Sequence, residues 1–466
     1  MIDPIQFPSE ESSNRSRKTI AEQEPKSLRT FTPTQAVLSK SAGVYHWTPE
    51  GRKLFDFSSG VLVANLGHNP TMWMKRFCEY MGWHSVDWNS TERFFQAVTL
   101  TSYNAVTEIE AQAVSRLLKN LQSCDGGSRC ESVLWAASGS EAVQKALWAA
   151  LHFRKDKDII LATRQGFHGK KGLAGAVTGS ETDSDRDPRV KFLGFPREEI
   201  DDLSKVDEEM DLSKYRGELE TIHAQFGSRL NCLITEPYLG GGGSYHPPAA
   251  YLQLLESFCR ENDVLLVLDE IQSNFGRTGK MYAFEKYGIE PDLVCLGKGM
   301  GNGVPVSAVV GRKDVLESLN YGEGSDTWSA NPLACAAVLA TLDEFENNEI
   351  LKHAQSISEI FIEGLSSLKE SPLISKVRGE GMVFGVECAS YAKLSSEEVA
   401  NAIVRECYLG AKSEANTATV GIHLLGPLAG NVLRISPPLV MTQEQAGESL
   451  ALMRSCSDRL QQSSQS

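Results

Sequence analysis

Two kinds of apolar pattern alternate along this chain. Short unbroken apolar runs end in Gly, Ser, Asp or Glu, and between several of them lie longer stretches with apolar residues at helical spacing. Seven such runs, at 132–137, 158–163, 190–195, 230–235, 264–268, 293–296 and 307–311, read as strands. An unbroken apolar run marks a strand covered on both faces of a parallel sheet. Residues 107–121 place Ile109, Ala113, Leu117, Leu118 and Leu121 at helical spacing. Further helices are expected after the turn at 138–142, over 251–262 and over 333–345. This alternation predicts a doubly wound sheet. Residues 43–60 alternate around the turn Pro49-Glu50-Gly51 and predict a hairpin, and 375–387, with its glycine turns, predicts a strand pair.

The stretch 264–303 carries the chemistry. Its first run ends in Asp269 and Glu270, and its second ends at Lys298, followed by Gly299, Gly301 and Gly303. Ligands of open α/β sheets bind at the carboxyl ends of the strands, so acid and amine are expected to point into one crevice. A buried lysine of lowered pKa forms a Schiff base with an aldehyde. A buried aspartate keeps a pyridine nitrogen protonated, so that the ring withdraws electrons. Together the two describe a pyridoxal phosphate (PLP) site. Alone, either residue also reads as an ordinary strand end. The run at 132–137 leads into Ser138-Gly139-Ser140-Glu141-Ala142 and then a helix. A Gly/Ser turn at a helix N-terminus is an anion site, though Ser-Gly-Ser also makes a plain N-cap.

Asp269-Glu270-Ile271-Gln272, Phe275-Gly276-Arg277-Thr278-Gly279, Pro291-Asp292 and Gly297-Lys298-Gly299 together resemble the signature of the class III (ω-) aminotransferases. The resemblance spans about 43–450 and is sharpest over 138–332. It implies fold type I: a mainly parallel seven-stranded sheet with helices on both faces, plus a small α+β domain made of N- and C-terminal segments. The expected layout is a flexible arm (1–26), the N-terminal part of the small domain (27–68), a large PLP-binding domain (69–345), the C-terminal small domain (346–460) and a disordered tail (461–466).

The resemblance also implies roles. Lys298 would form the Schiff base and move the proton, and Asp269 would face the ring nitrogen. Gln272 would bind near the ring oxygen, and Ser138, Gly139 and Ser140 would hold the phosphate. In Gly166-Phe167-His168-Gly169, Phe167 would stack on the ring, with His168 a structural member of the cofactor-binding set. Glu236 resembles the family glutamate near the phenolic edge. Thr327, before Asn331-Pro332, would reach the phosphate of a neighbouring subunit, which makes a homodimer the expected assembly. Arg434, before Pro437-Pro438-Leu439, would hold a substrate carboxylate with its fork. Relatives of the ornithine and 4-aminobutyrate types carry a second glutamate where this chain has Gly241, which speaks against those two activities. The implied reaction is ping-pong transamination from an amine or ω-amino acid donor to a keto acid. The alternatives are a lyase, decarboxylase or aminomutase on the same cofactor, or a non-catalytic binding protein on the same fold. His68 reads as structural, and the Trp- and Met-rich stretch 72–93 as core or subunit interface.

Composition narrows the partners. The chain has 466 residues, with 46 Lys plus Arg against 60 Asp plus Glu and a net charge of −14. That balance argues against nucleic acid or an anionic membrane surface as a main partner. No apolar segment reaches the ~18 to 20 residues of a membrane span, and the N-terminal tract lacks the apolar core of a secretory signal. The ten cysteines are scattered, without a CxxC or Cys/His spacing. Neither a metal site nor a disulfide framework is expected, and a cytoplasmic setting fits.

Overall fold

A computed structural model describes residues 5–184, 186–205, 210–412 and 419–464. The chain divides into two compact units. The large unit comprises Thr71–Ile200 and Lys205–Leu351, and the small unit Met1–Pro70, Asp201–Ser204 and Lys352–Ser466. No helix among the described residues is long and apolar enough to cross a membrane.

The large unit is built on seven strands: β1 (Ser132–Ala136), β2 (Ile159–Thr163), β3 (Val190–Leu193), β4 (Leu230–Thr235), β5 (Leu265–Asp269), β6 (Leu293–Leu296) and β7 (Ser307–Gly311). Their order is β1-β7-β6-β5-β4-β2-β3. From β6 to β3 all neighbours are parallel, and β7 runs antiparallel to both β6 and β1. The unbroken apolar runs follow from this, because β2, β4, β5 and β6 are buried along their whole length. Helix α1 (Gly139–Phe153) packs on the sheet through Ala142, Ala146, Ala149 and Ala150, whose small side chains let it lie close.

Helix Glu108–Gln122 is capped by Thr107 and buries Ile109, Ala113, Leu117 and Leu121, the stripe its spacing announced. Helix Pro332–Asn347 opens on an Asn331 cap with proline in its first turn, and is buried along most of its length. Trp73, on helix Thr71–Tyr80, donates Nε1–H to Thr341 Oγ1 at 2.9 Å and stacks on Phe77. That part of the Trp- and Met-rich stretch is core. Farther on, Trp88 and Phe94 are 73% and 78% exposed, in a stretch without helix or strand between Ser85 and Glu108.

The described residues of the small unit form two sheets. In one, the expected hairpin forms from Tyr45–Trp47 and Lys53–Asp56. Lys53–Asp56 also pairs in parallel with Thr419–His423, so that Asp56 stands opposite His423. The other is the antiparallel set Ile374–Glu380, Val383–Cys388 and Val432–Ile435. Helix Ser396–Leu409 starts with a full capping box between Ser395 and Glu398.

Two expectations for the termini are corrected. Glu11–Gln23, within the stretch read as a flexible arm, is a helix. It is anchored by charge rather than by an apolar stripe, which is why its polar sequence concealed it. Arg17 is buried and bonds Glu10 Oε2 at 2.8 Å, Asn14 Oδ1 at 2.8 Å, the Gln35 carbonyl at 3.0 Å and the Tyr408 hydroxyl at 3.1 Å. The expected disordered tail instead continues helix Gln443–Ser464, which is held by the buried Met453, Cys456 and Leu460. Residues 1–4, 465 and 466 lie outside the described residues.

Candidate active site

Asp269 is the last residue of β5 and pairs in register with Cys295 of β6. Lys298 follows the end of β6 in the tight turn Lys298–Gly301. The acid and the amine therefore leave adjacent strand ends. Lys298 is half-buried and has φ +47°, a left-handed conformation uncommon in a residue with a side chain. The preceding Gly297 is required, since a Cβ there would lie 2.6 Å from Ser307 Oγ on β7.

Asp269 is buried. Its Oδ2 lies 2.7 Å from His168 Nδ1, and its Oδ1 accepts from the Ile271 amide at 3.1 Å. His168 is buried as well, and its Nε2 is enclosed with no hydrogen-bond partner among the described residues. Burial alone would lower the His168 pKa, but the bond to Asp269 and the charges of Asp269 and Glu236 raise it overall. Thr178 Oγ1 accepts from the His168 and Gly169 amides at 2.8 and 3.1 Å and fixes the turn.

Glu236 follows the end of β4 and accepts from the Phe167 amide at 2.8 Å and the Gly240 amide at 3.3 Å. Burial pushes its carboxyl up to about 7, against the opposing charge of His168. Phe167 is 41% exposed, so this buried acid presents a partly open aromatic ring.

Ser138 caps α1 by accepting from the Glu141 amide at 3.3 Å. The first N–H groups of a helix have no partner within it and favour an anion. The Ser138–Ser140 turn packs directly on its neighbours. A Cβ at Gly139 would lie 2.8 Å from Ile271 Cδ1, and a Cβ at Gly169, where φ is +146°, would lie 2.2 Å from Ser140 Oγ. On the other side, a Cβ at Gly240 would lie 2.2 Å from Gln272 Oε1, and one at Gly241 would lie 3.0 Å from Phe167 Cβ. Gln272 Oε1 is itself enclosed without a partner among the described residues.

The large unit thus gathers Ser138, Gly139, Ser140, Phe167, His168, Glu236, Asp269 and Gln272 into one connected group, with Lys298 on the next strand end. Two candidates are not part of this connected group. Thr327 is exposed, beside Asp326, whose Oδ2 takes the buried Lys145 Nζ at 2.7 Å. Arg434 belongs to the small unit, buried in strand Val432–Ile435 opposite Gly385. The bonds from His168 to Asp269 and from Phe167 to Glu236 were not foreseen. Their members are 101 and 69 positions apart, and no local spacing announces them.

The group suits PLP. It offers a helix N-terminus for a phosphate, a buried acid for a ring nitrogen, a flat face, and an amine for an aldehyde. The enclosed unpartnered atoms of His168 and Gln272 fit a site with a polar ligand.

Known proteins bear on this arrangement. The chain is 30% identical to an acetylornithine aminotransferase of Agrobacterium fabrum, over 91% of this chain and 93% of that one. It is 28% identical to a leucine/methionine racemase of Thermococcus litoralis, over 91% of each. An ornithine aminotransferase structure from Toxoplasma gondii has the same fold, with a TM-score of 0.77 at 22% identity over 98% of this chain and 97% of that one. Residues 84–456 match the family described as Aminotransferase class-III, and the chain belongs to that family of PLP-dependent, fold type I enzymes.

Proposed function

We propose that this protein transfers an amino group from an amine or ω-amino acid donor to a keto acid in two half-reactions, with one product leaving before the second substrate enters. The observation that carries the reading is the half-buried Lys298, held in a left-handed turn at the strand end next to Asp269. When bound, PLP supplies an electron-withdrawing ring that stabilises negative charge on the substrate carbon.

The chain's own residues do the rest. Lys298 provides the amine for the aldehyde and then takes and returns a proton at the carbon bearing the amino group. Asp269, fixed by His168 and the Ile271 amide, presents negative charge to the ring nitrogen. Ser138, Gly139 and Ser140 hold the phosphate at the start of α1. Phe167 covers one face of the ring, and Glu236 and Gln272 attend its oxygen side. Arg434 binds a substrate carboxylate with its fork.

A homodimer completes this proposal, with Thr327 reaching the partner's phosphate. The exposure of Trp88, Phe94 and Trp328, at 73%, 78% and 64%, supports an apolar surface to be covered. The cytoplasm is the compartment this reading assigns, and all ten cysteines are free thiols.

The names of the relatives make acetylornithine and ornithine the first donors to screen. Gly241, whose Cβ position would lie 3.0 Å from Phe167 Cβ, adds no second carboxylate beside Glu236, which favours a donor that needs no acidic gate. The decisive experiment mixes the PLP-loaded protein with donor alone. Conversion of the cofactor to its aminated form, with one equivalent of carbonyl product, is the expected result, and Lys298→Ala should abolish it. Release of ammonia or carbon dioxide, or inversion of the donor without carbonyl product, would overturn the transfer reaction.

A further inference from the structure

The small unit contains a cluster that the reaction does not use. Asp56 ends strand Lys53–Asp56 and is wholly buried. Its Oδ2 lies 2.7 Å from His68 Nε2 and 3.4 Å from His46 Nε2. His46 is also buried, on strand Tyr45–Trp47. The donor atoms of all three residues lie within 4.8 Å of one another.

We infer that His46, Asp56 and His68 bind a divalent transition-metal cation, with zinc the best fit. The His68–Asp56 pair, at 2.7 Å, has the length of a charge-assisted hydrogen bond and must open to about 3.3 Å around a cation; two observations on the rest of the cluster point beyond hydrogen bonding. First, 3.4 Å is long for a charge-assisted bond in a dry site, where ~2.7–2.9 Å is usual. It is close to the separation of about 3.3 Å between ligand atoms in a tetrahedral site with bonds of ~2.0–2.1 Å. Second, the surrounding groups are arranged as supports for ligands. His46 Nδ1 lies 2.7 Å from Ser41 Oγ, which can fix the tautomer with Nε2 free to coordinate. Asp56 Oδ1 accepts from the Ser58 amide at 2.7 Å, the Ser58 hydroxyl at 2.7 Å and the Ser59 amide at 3.1 Å, leaving Oδ2 for the cation.

His423 stands opposite Asp56 in register, its ring 5.5 Å from that of His46. Its Nδ1 is enclosed without a partner among the described residues, and His423 lies outside the group whose donor atoms all meet within 4.8 Å. The cation takes the place of the proton between His68 and Asp56. A neutral His68 shifts that proton from Nε2 to Nδ1, and a charged one releases it to solvent. The edge of His68 is 17% exposed and offers an entry path. The site would staple the hairpin at 45–56 to the His68 loop, whose reciprocal backbone bonds at 2.9 Å reach Gly43, just before the hairpin. Two imidazoles and one carboxylate suit zinc or its neighbours in the first row, not magnesium or calcium.

The test uses untagged, full-length, PLP-loaded protein, stripped with a chelator and titrated with zinc(II) or cobalt(II) alone. One equivalent per chain should bind, with visible d–d bands of a nitrogen- and oxygen-ligated cobalt site and a raised melting temperature. His46→Gln should weaken binding at least about tenfold and abolish the thermal shift. If that variant does not fold, His68→Gln, altered at the half-buried ligand, carries the same comparison. No bound cation, or equal binding by wild type and the folded variant, would overturn the site.

Discussion

His168 Nδ1 and Asp269 Oδ2 lie 2.7 Å apart, both side chains buried, one from the turn after β2 and the other from the end of β5. An acid pinned in this way is oriented before any ligand arrives. Asp269→Asn should lower kcat by about 10²-fold or more, since it removes charge where positive charge must be held. His168→Leu should cost less, about 10- to 100-fold, because it only loosens the acid's orientation. Steady-state kinetics, with cofactor retention measured in parallel, separate the two effects.

Glu236 gives a pH signature. Its carboxyl is raised to about 7 in the fold from an ordinary value of 4.5. The folded state therefore holds a proton that the unfolded chain has lost. Its stabilising contribution is full below about 4.5 and fades as pH rises through about 7. A shift of that size corresponds to about 3 kcal/mol. In cofactor-free protein, Glu236→Gln carries a constant offset from its altered bonds to Phe167 and Gly240. Beyond that offset, the variant should gain on wild type by up to about 3 kcal/mol between pH 4.5 and 8. Urea unfolding across that range checks it, and a difference independent of pH would refute it.

Gly169 combines a φ of +146° with a Cβ position 2.2 Å from Ser140 Oγ and 2.9 Å from Ala174 Cβ. Gly169→Ala should push Ser140 away and strain the turn, destabilising the large unit by about 1–3 kcal/mol. Titration of the apo variant with PLP should show weaker binding than wild type, with donor specificity unchanged.

Arg17 and Glu10 form a buried pair at 2.8 Å. Arg17→Met leaves Glu10 with Tyr408 at 3.0 Å and Arg52 at 3.1 Å, so the cost should fall near the low end of the ~3–5 kcal/mol typical of a broken buried pair. Limited proteolysis should then cut within 24–35, and adding Glu10→Gln should restore part of the loss.

The seven strands and the meeting of Asp269 and Lys298 at strand ends were legible because buried parallel strands write continuous apolar runs and end in the residues that do chemistry, whereas the strand order was not. Gln272 was singled out by the composite motif at 269–299, and Ser138 and Phe167 by shorter family motifs, rather than by any physical period. What escaped the sequence was polar and long-range. The Arg17 anchor, the His168 pair and the gathering of His46, Asp56 and His68 all depend on residues that meet only after folding. A buried charge satisfied across many turns of chain leaves no mark on hydropathy.

The parallel pairing of Lys53–Asp56 with Thr419–His423 governs the timing of biosynthesis. Translation can deliver every strand of the seven-stranded sheet by Gly311. The strands Tyr45–Trp47 and Lys53–Asp56 of the other unit must wait for residue 419 before their open edge is covered. A nascent polypeptide stalled between those points would display an unpaired edge, and this is the interval in which a chaperone has most to do.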